Sequence, residues 1–255
     1  MLSSVLIALA MCLVIQIGFF VFAFLQKSDK FTDLSYGLTF VVVTVLYWLL
    51  SSVHGVQTIV TALVTLWGVR LAGYLYMRIL KLKRDYRFDG VRENVRSFAR
   101  FWLFQAISIW IILWPTLIVM SYEKIMKISV FTVAGTIIWI MGFWIETMAD
   151  LQKSGFRSNP ENNGKWVDVG LWHHSQYPNY FGEMSMWWGI FVISIPFLSG
   201  VTWLVILGPL FISCLLLFVT GIPPLAKKHK QEYGHLPEYV EYKRKTNLLV
   251  PWFKK

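Results

Sequence analysis

Residues 156–183 read FRSNPENNGKWVDVGLWHHSQYPNYFGE, a polar stretch set between apolar runs at about 129–152 and 184–198. Irregular backbone beside hydrocarbon persists only where protein buries it or where it lines a wet cavity. The stretch therefore reads as a specified loop between membrane spans. Outward from it the same pattern repeats, with apolar runs at about 4–25, 35–52, 58–78, 101–121 and 200–222. Hydrophobic residues make up 56% of the 255, more than a soluble domain of this size can bury. The expected fold is an all-α bundle of seven transmembrane helices in a single membrane domain, 1–255. Residues 1–100 form the expected substrate side and 101–255 the expected cofactor region. The first run lacks a basic leader and a small-x-small cleavage site, so it reads as a retained span. Pro196 to Gly200 separates the last two spans as a tight hairpin.

Charge placement supports this topology. With the N-terminus outside and the C-terminus cytoplasmic, twenty of the twenty-four Lys and Arg fall on the cytoplasmic side. The net charge of +10 is thus a matter of orientation. No soluble basic domain is present, so nucleic acid is not an expected partner. Cys12 and Cys214 both lie in apolar runs and read as packing residues; no metal site is expected.

Charged residues inside spans are costly and mark function by default. Arg70, Tyr74 and Arg78 share one face of the third span at a spacing of four. Arg78 is placed to snorkel to the headgroups, whereas Arg70, two turns deeper, calls for an interior partner. On the fifth span Glu146, Asp150, Lys153 and Arg157 form one stripe if the helix continues that far. Such a stripe is either a ladder of ion pairs or a ligand site with cations at its rim and acceptors deeper in. Pro178 suits the first turn of the next helix, and Asn179, Glu183 and Trp187 share its face.

The run FRSNP-x-N-x-G, followed by GLW, PNYFGE and WWG, resembles the C-terminal region of steroid 5-alpha-reductase-like membrane proteins. It is more closely similar to their bacterial branch, the DUF1295 proteins. WGVRL, DYRF and the tail GIPP…YKRKTNLLVPW extend the resemblance over about 60–253. The resemblance implies a seven-helix fold that holds NADPH in a cytoplasm-facing cavity. It places cofactor contacts on Glu146, Asp150 and Arg157, with Glu146 standing where the family carries Asn. A further contact falls on Asn179, with Glu183 four residues on. Lys153, Trp172 and Tyr180 belong to the same block. Where the usual bacterial form is Ser-Arg-His-Pro-Asn-Tyr, this chain has Ser175-Gln176-Tyr177-Pro178-Asn179-Tyr180. His173, His174 or the Lys243-Arg244-Lys245 cluster is then expected to replace the lost contacts.

The implied reaction is reduction of a carbon–carbon double bond in a lipophilic substrate entering from the bilayer. Tyr36, Arg70, Tyr74 and Glu146 are the catalytic candidates, with Asp33 and Trp67 beside them, because a tyrosine can donate a proton to a developing enolate oxygen. An S-adenosylmethionine-dependent isoprenylcysteine-type methyltransferase and a non-catalytic lipid-binding member of the fold stay open. A monomer in a bacterial inner membrane, or in the endoplasmic reticulum, is expected.

Overall fold

The computed structural model describes residues 2–26, 28, 30–51, 55–82 and 90–252. The DYRF run at 85–88 lies outside them. Among the described residues there are helices and one isolated backbone bridge, between Ser175 and Asn247. Six helical stretches are long and apolar enough to cross a membrane, 3–25, 32–50, 55–79, 95–112, 130–158 and 200–233, which makes this a multi-pass membrane protein. The expected sixth span begins earlier than its apolar run, at Pro178, and ends at Ser194. At 17 residues it rises only about 26 Å, short of a hydrocarbon core of about 30 Å.

The chain folds into two compact units, 1–132 with 194–208 and 133–193 with 209–255. The first unit holds α1 (Leu2–Leu25), α2 (Thr32–Leu50), α3 (Gly55–Leu82), α4 (Val95–Ile112) and α5 (Trp114–Met120). The run read as one span at 101–121 is thus two helices. Pro115 lacks an N–H and its ring would strike the carbonyl of Ile111 in a continuous helix, so the chain breaks at Leu113 and restarts with Pro115 in the first turn. Along α2 and α3 the backbones nearly touch. A Cβ on Gly37 would lie 2.7 Å from the Gly68 carbonyl oxygen and 3.0 Å from the Ala72 Cβ.

A neutral hydrogen-bond network joins three helices of this unit. Gln105 on α4 donates to Gln16 Oε1 at 3.0 Å, to the Thr32 carbonyl at 3.1 Å and to Ser35 Oγ at 3.1 Å. Gln16 on α1 donates to Thr39 Oγ1 at 2.8 Å. All five residues are buried, and side-chain hydrogen bonds of this kind join helices where lipid supplies no hydrophobic drive.

The second unit holds most of α6 (Val130–Ser158), α7 (Leu171–His174) and α8 (Pro178–Ser194). After α9 (Leu207–Cys214) come α10 (Ile222–Tyr233) and α11 (Pro237–Lys245). The helices α6 and α8 run antiparallel along a glycine seam. A Cβ on Gly135 would lie 2.5 Å from the Gly189 carbonyl oxygen, and one on Gly182 would lie 2.6 Å from that of Gly142. Seven residues separate the two glycines on each helix, so both contacts fall on one face.

The expected last span, 200–222, is not one regular helix. Residues 200–206 are 3-10, 207–214 are α and 215–219 form a π turn. Pro209 accounts for the start: its ring excludes an α-helical carbonyl at Val205, so the α-helix can begin only with Pro209 in its first turn.

Candidate functional site

The helix α6 continues to Ser158, so Glu146, Asp150, Lys153 and Arg157 do form one stripe. Its deeper half is buried, with Glu146 3% and Asp150 5% exposed. Its outer half opens into a cleft. Lys153, Arg157 and His229 bring the basic groups; Trp166, Trp172, Tyr177, Tyr239 and Tyr242 bring ring faces; Val167 and Gln176 complete the wall. Lys153 Nζ sits 5.1 Å from the centre of the Trp172 ring, a distance at which the ring quadrupole attracts a cation. Arg157 reaches the Tyr233 hydroxyl at 3.5 Å, a long bond that leaves most of a guanidinium's donors to other acceptors.

Local sequence explains how the walls are held. Gly170 adopts φ +55, a left-handed turn that lets α7 restart behind it, and Gln152 Oε1 accepts the Leu171 N–H at 2.9 Å. Trp172 donates its indole N–H to the Ala149 carbonyl at 2.9 Å, which fixes its ring beside Lys153. The opposite wall comes from the tail. Tyr242 donates to the Trp172 carbonyl at 2.8 Å, Ser175 Oγ to that of Leu249 at 2.7 Å, and Gln176 Nε2 to that of Thr246 at 3.2 Å. With the tail fastened there, Tyr239 and Tyr242 pack around Trp166 at centroid distances of 5.2 and 6.0 Å.

Burial sets the chemistry of these hydroxyls. It pushes Tyr177 up to about 12, with nearby Tyr239 adding to the shift, and it raises Tyr242 as well, helped by Asp168. Both therefore stay protonated and serve as neutral donors. On the first turn of α8 the Asn179 Oδ1 atom is buried without a hydrogen-bond partner. A buried acceptor left open costs free energy, so this atom suits an amide or hydroxyl donor from a ligand. Tyr180 stacks on Tyr177 with centroids 5.9 Å apart, and Glu183 lies one turn beyond Asn179.

Other expected residues lie elsewhere. Lys243 and Arg244 are exposed and do not line the cleft; Arg244 and Lys245 bond Glu241 at 2.8 and 3.0 Å and hold its carboxyl down at about 2. His173 is exposed and paired with Asp168 at 2.8 Å. The imidazole that lines the cleft is His229 of α10. Tyr36, Arg70 and Tyr74 belong to the first unit. There Tyr36 meets Phe40 and Trp67 edge-on at 5.2 and 6.4 Å, and the Arg70 Nε and Nη2 atoms are buried. Arg78 does not simply snorkel, since its Nη2 pairs with Asp33 at 3.1 Å.

Trp166, Tyr239, Tyr242 and His229 were not legible as site residues from the sequence. Spacing of tyrosines along 233, 239 and 242 was the one available signal.

A family model described as Protein of unknown function (DUF1295) matches residues 19–246. No curated protein and no solved structure matches the chain.

Proposed function

We propose that this chain, which belongs to the DUF1295 family, is a membrane-embedded NADPH-dependent reductase of a carbon–carbon double bond in a lipophilic, steroid-like or other lipid enone. The observation that carries the reading is the cleft itself, which Lys153 and Arg157 line together with Trp166, Trp172, Tyr239 and Tyr242, Lys153 standing over the Trp172 ring. Cations next to aromatic rings fit a ligand that joins phosphate to planar bases. Asn179 Oδ1 adds a buried acceptor on the neighbouring helix. When bound, NADPH supplies a hydride; the protein's residues supply position and electrostatics.

In this reading Arg157 and Lys153 hold phosphate oxygens, and Asp150 and Asn179 orient hydroxyl or amide groups. Tyr177 and Tyr242 donate hydrogen bonds without ionising. Tyr36, Arg70 and Tyr74, with Glu146, are the candidates for supplying a proton to the substrate oxygen. The cofactor side faces the cytoplasm, in a bacterial inner membrane or the endoplasmic reticulum.

Titration of the purified protein with NADPH, followed by tryptophan emission, tests the first step, because two tryptophans line the cleft. Saturable quenching is expected, weakened about tenfold in Arg157→Ala by loss of a charge-assisted bond. Quenching by S-adenosylmethionine with none by NADPH would turn the assignment to a methyltransferase. No response to either would leave a lipid-binding role. Tyr36→Phe and Tyr74→Phe should keep NADPH binding, and the one that donates the proton should lose turnover.

A further inference from the structure

The helix α11 has two faces with different partners. Its inner face carries Tyr239, 5% exposed, and Tyr242, both in the cleft wall. Its outer face carries Val240, 55% exposed, with Lys243 and Arg244 three and four residues on, and therefore beside it. Past the helix the exposed apolar positions continue at Leu248, Val250 and Trp252, the last 70% exposed. These positions are not free to turn inward, because Ser175, Gln176 and His174 hold the intervening backbone of 246–249. Residues 222–245 carry six Lys and Arg against three Glu.

We infer that the outer face of α11 and the segment 248–252 dock on an anionic bilayer surface, with Trp252, Leu248 and Val250 seated at headgroup depth and Lys243 against lipid phosphates, flanked by Arg244 and Lys245, which also bond Glu241. Charge complementarity and the helix's place directly after a membrane-length stretch select this occupant. Exposed tryptophan beside basic residues is the composition that partitions to the membrane–water interface. Because the inner face of the same helix forms the cleft, lipid on one side fixes the wall on the other. This inference does not depend on the ligand of the cleft.

Full-length protein in nanodiscs of phosphatidylcholine alone, and with about a third phosphatidylglycerol, is compared by hydrogen–deuterium exchange. Exchange over 237–252 should slow about fivefold in the anionic discs, the effect of roughly one cation at such a surface. The difference should vanish in about 0.5 M salt and in K243Q/R244Q/K245Q. Peptides over 172–176, which fasten the tail from the other side, report whether it is still seated in that variant. Equal exchange in the two disc types overturns the inference. So does an anionic-lipid effect that survives the triple substitution while 172–176 stays protected.

Discussion

Gly182→Ala tests whether the glycine seam positions the site. A glycine in a helix interior costs about 1 kcal/mol relative to alanine, so the change stabilises an open helical position by about that much. Gly182 is not open. The new Cβ would lie 2.6 Å from the Glu146 amide nitrogen, 2.6 Å from the Gly142 carbonyl oxygen and 2.8 Å from the Glu146 Cβ. Two of these are backbone atoms, so relief requires α6 and α8 to separate. Overpacking of this kind costs about 1–3 kcal/mol, and it outweighs the gain in propensity at most of that range.

A net loss of up to about 2 kcal/mol lowers the melting temperature by up to roughly 8 °C for a chain of this size. Gly155→Ala is the internal control, since it lies on α6, the other helix of the seam, with nothing within 4 Å. It should raise the melting temperature by about 2–3 °C. Thermal unfolding of the three proteins in one detergent, followed by tryptophan emission, reads both signs. Gly135→Ala, whose Cβ would meet the Gly189 carbonyl oxygen at 2.5 Å, should also destabilise. It sits seven residues, or about 10 Å, from Gly142 along α6, so under the proposed function it should leave NADPH affinity closer to wild type than Gly182→Ala does. A Gly182→Ala protein as stable as Gly155→Ala refutes the seam.

Gln105→Leu removes an amide nitrogen that shares its two N–H donors among three acceptors and leaves Gln16 Oε1 without that donor, which should cost about 1–3 kcal/mol; a melting temperature unchanged within 1 °C would show that the network is not what joins α1, α2 and α4. Asp33→Asn and Arg78→Gln, singly and together, should show a coupling of about 0.5–1 kcal/mol in a double-mutant cycle, modest because both side chains are partly exposed; additive losses would contradict the pair. Alkaline stability should follow Tyr177, whose folded value near 12 stands above an ordinary 10. The unfolded chain releases this proton first, so its contribution is complete below pH 10 and is lost as pH rises toward 12. Denaturant midpoints measured across that window should fall less steeply in Tyr177→Phe, and an unchanged slope would count against burial of the hydroxyl.

The parts of the fold written in local sequence were legible. Long apolar runs became helices, and a spacing of four placed Glu146, Asp150 and Arg157 on one face because α6 continues to Ser158. Lys153 and Trp172 were legible as neighbours of that face. The rest depended on chain closure. Tyr239 and Tyr242 reach Trp166 only because backbone pairing between 174–176 and 246–249 folds the tail back, across some 70 residues. With thirteen Trp, eleven Tyr and nineteen Phe in the chain, no single aromatic position announces a wall. Gln16 and Gln105 were silent for a related reason. A lone glutamine in an apolar run has no partner until the fold supplies one 89 residues away. The proline breaks at Leu113 and before Leu207 were readable in principle, since each follows from one ring and one carbonyl.

The Gln176-Tyr177 pair gains a physical account from these contacts. The resemblance places Arg-His there, next to the stripe that carries Lys153 and Arg157. A third cation at 176 would stand in the same cleft as those two and would repel both. Glutamine avoids that cost and still donates, to the Thr246 carbonyl, so it fastens the tail wall instead of meeting a ligand. An imidazole does line the cleft, that of His229 on α10. Tyr177, in turn, lays a ring face against Tyr180 and keeps its proton. The basic and aromatic side chains of the cleft are thus distributed over α6, α7, α10, α11 and the loops between α6 and α8. That distribution ties the cleft to the seating of the tail: in this chain the wall opposite Lys153 and Trp172 exists only while Ser175, Gln176 and Tyr242 hold it closed.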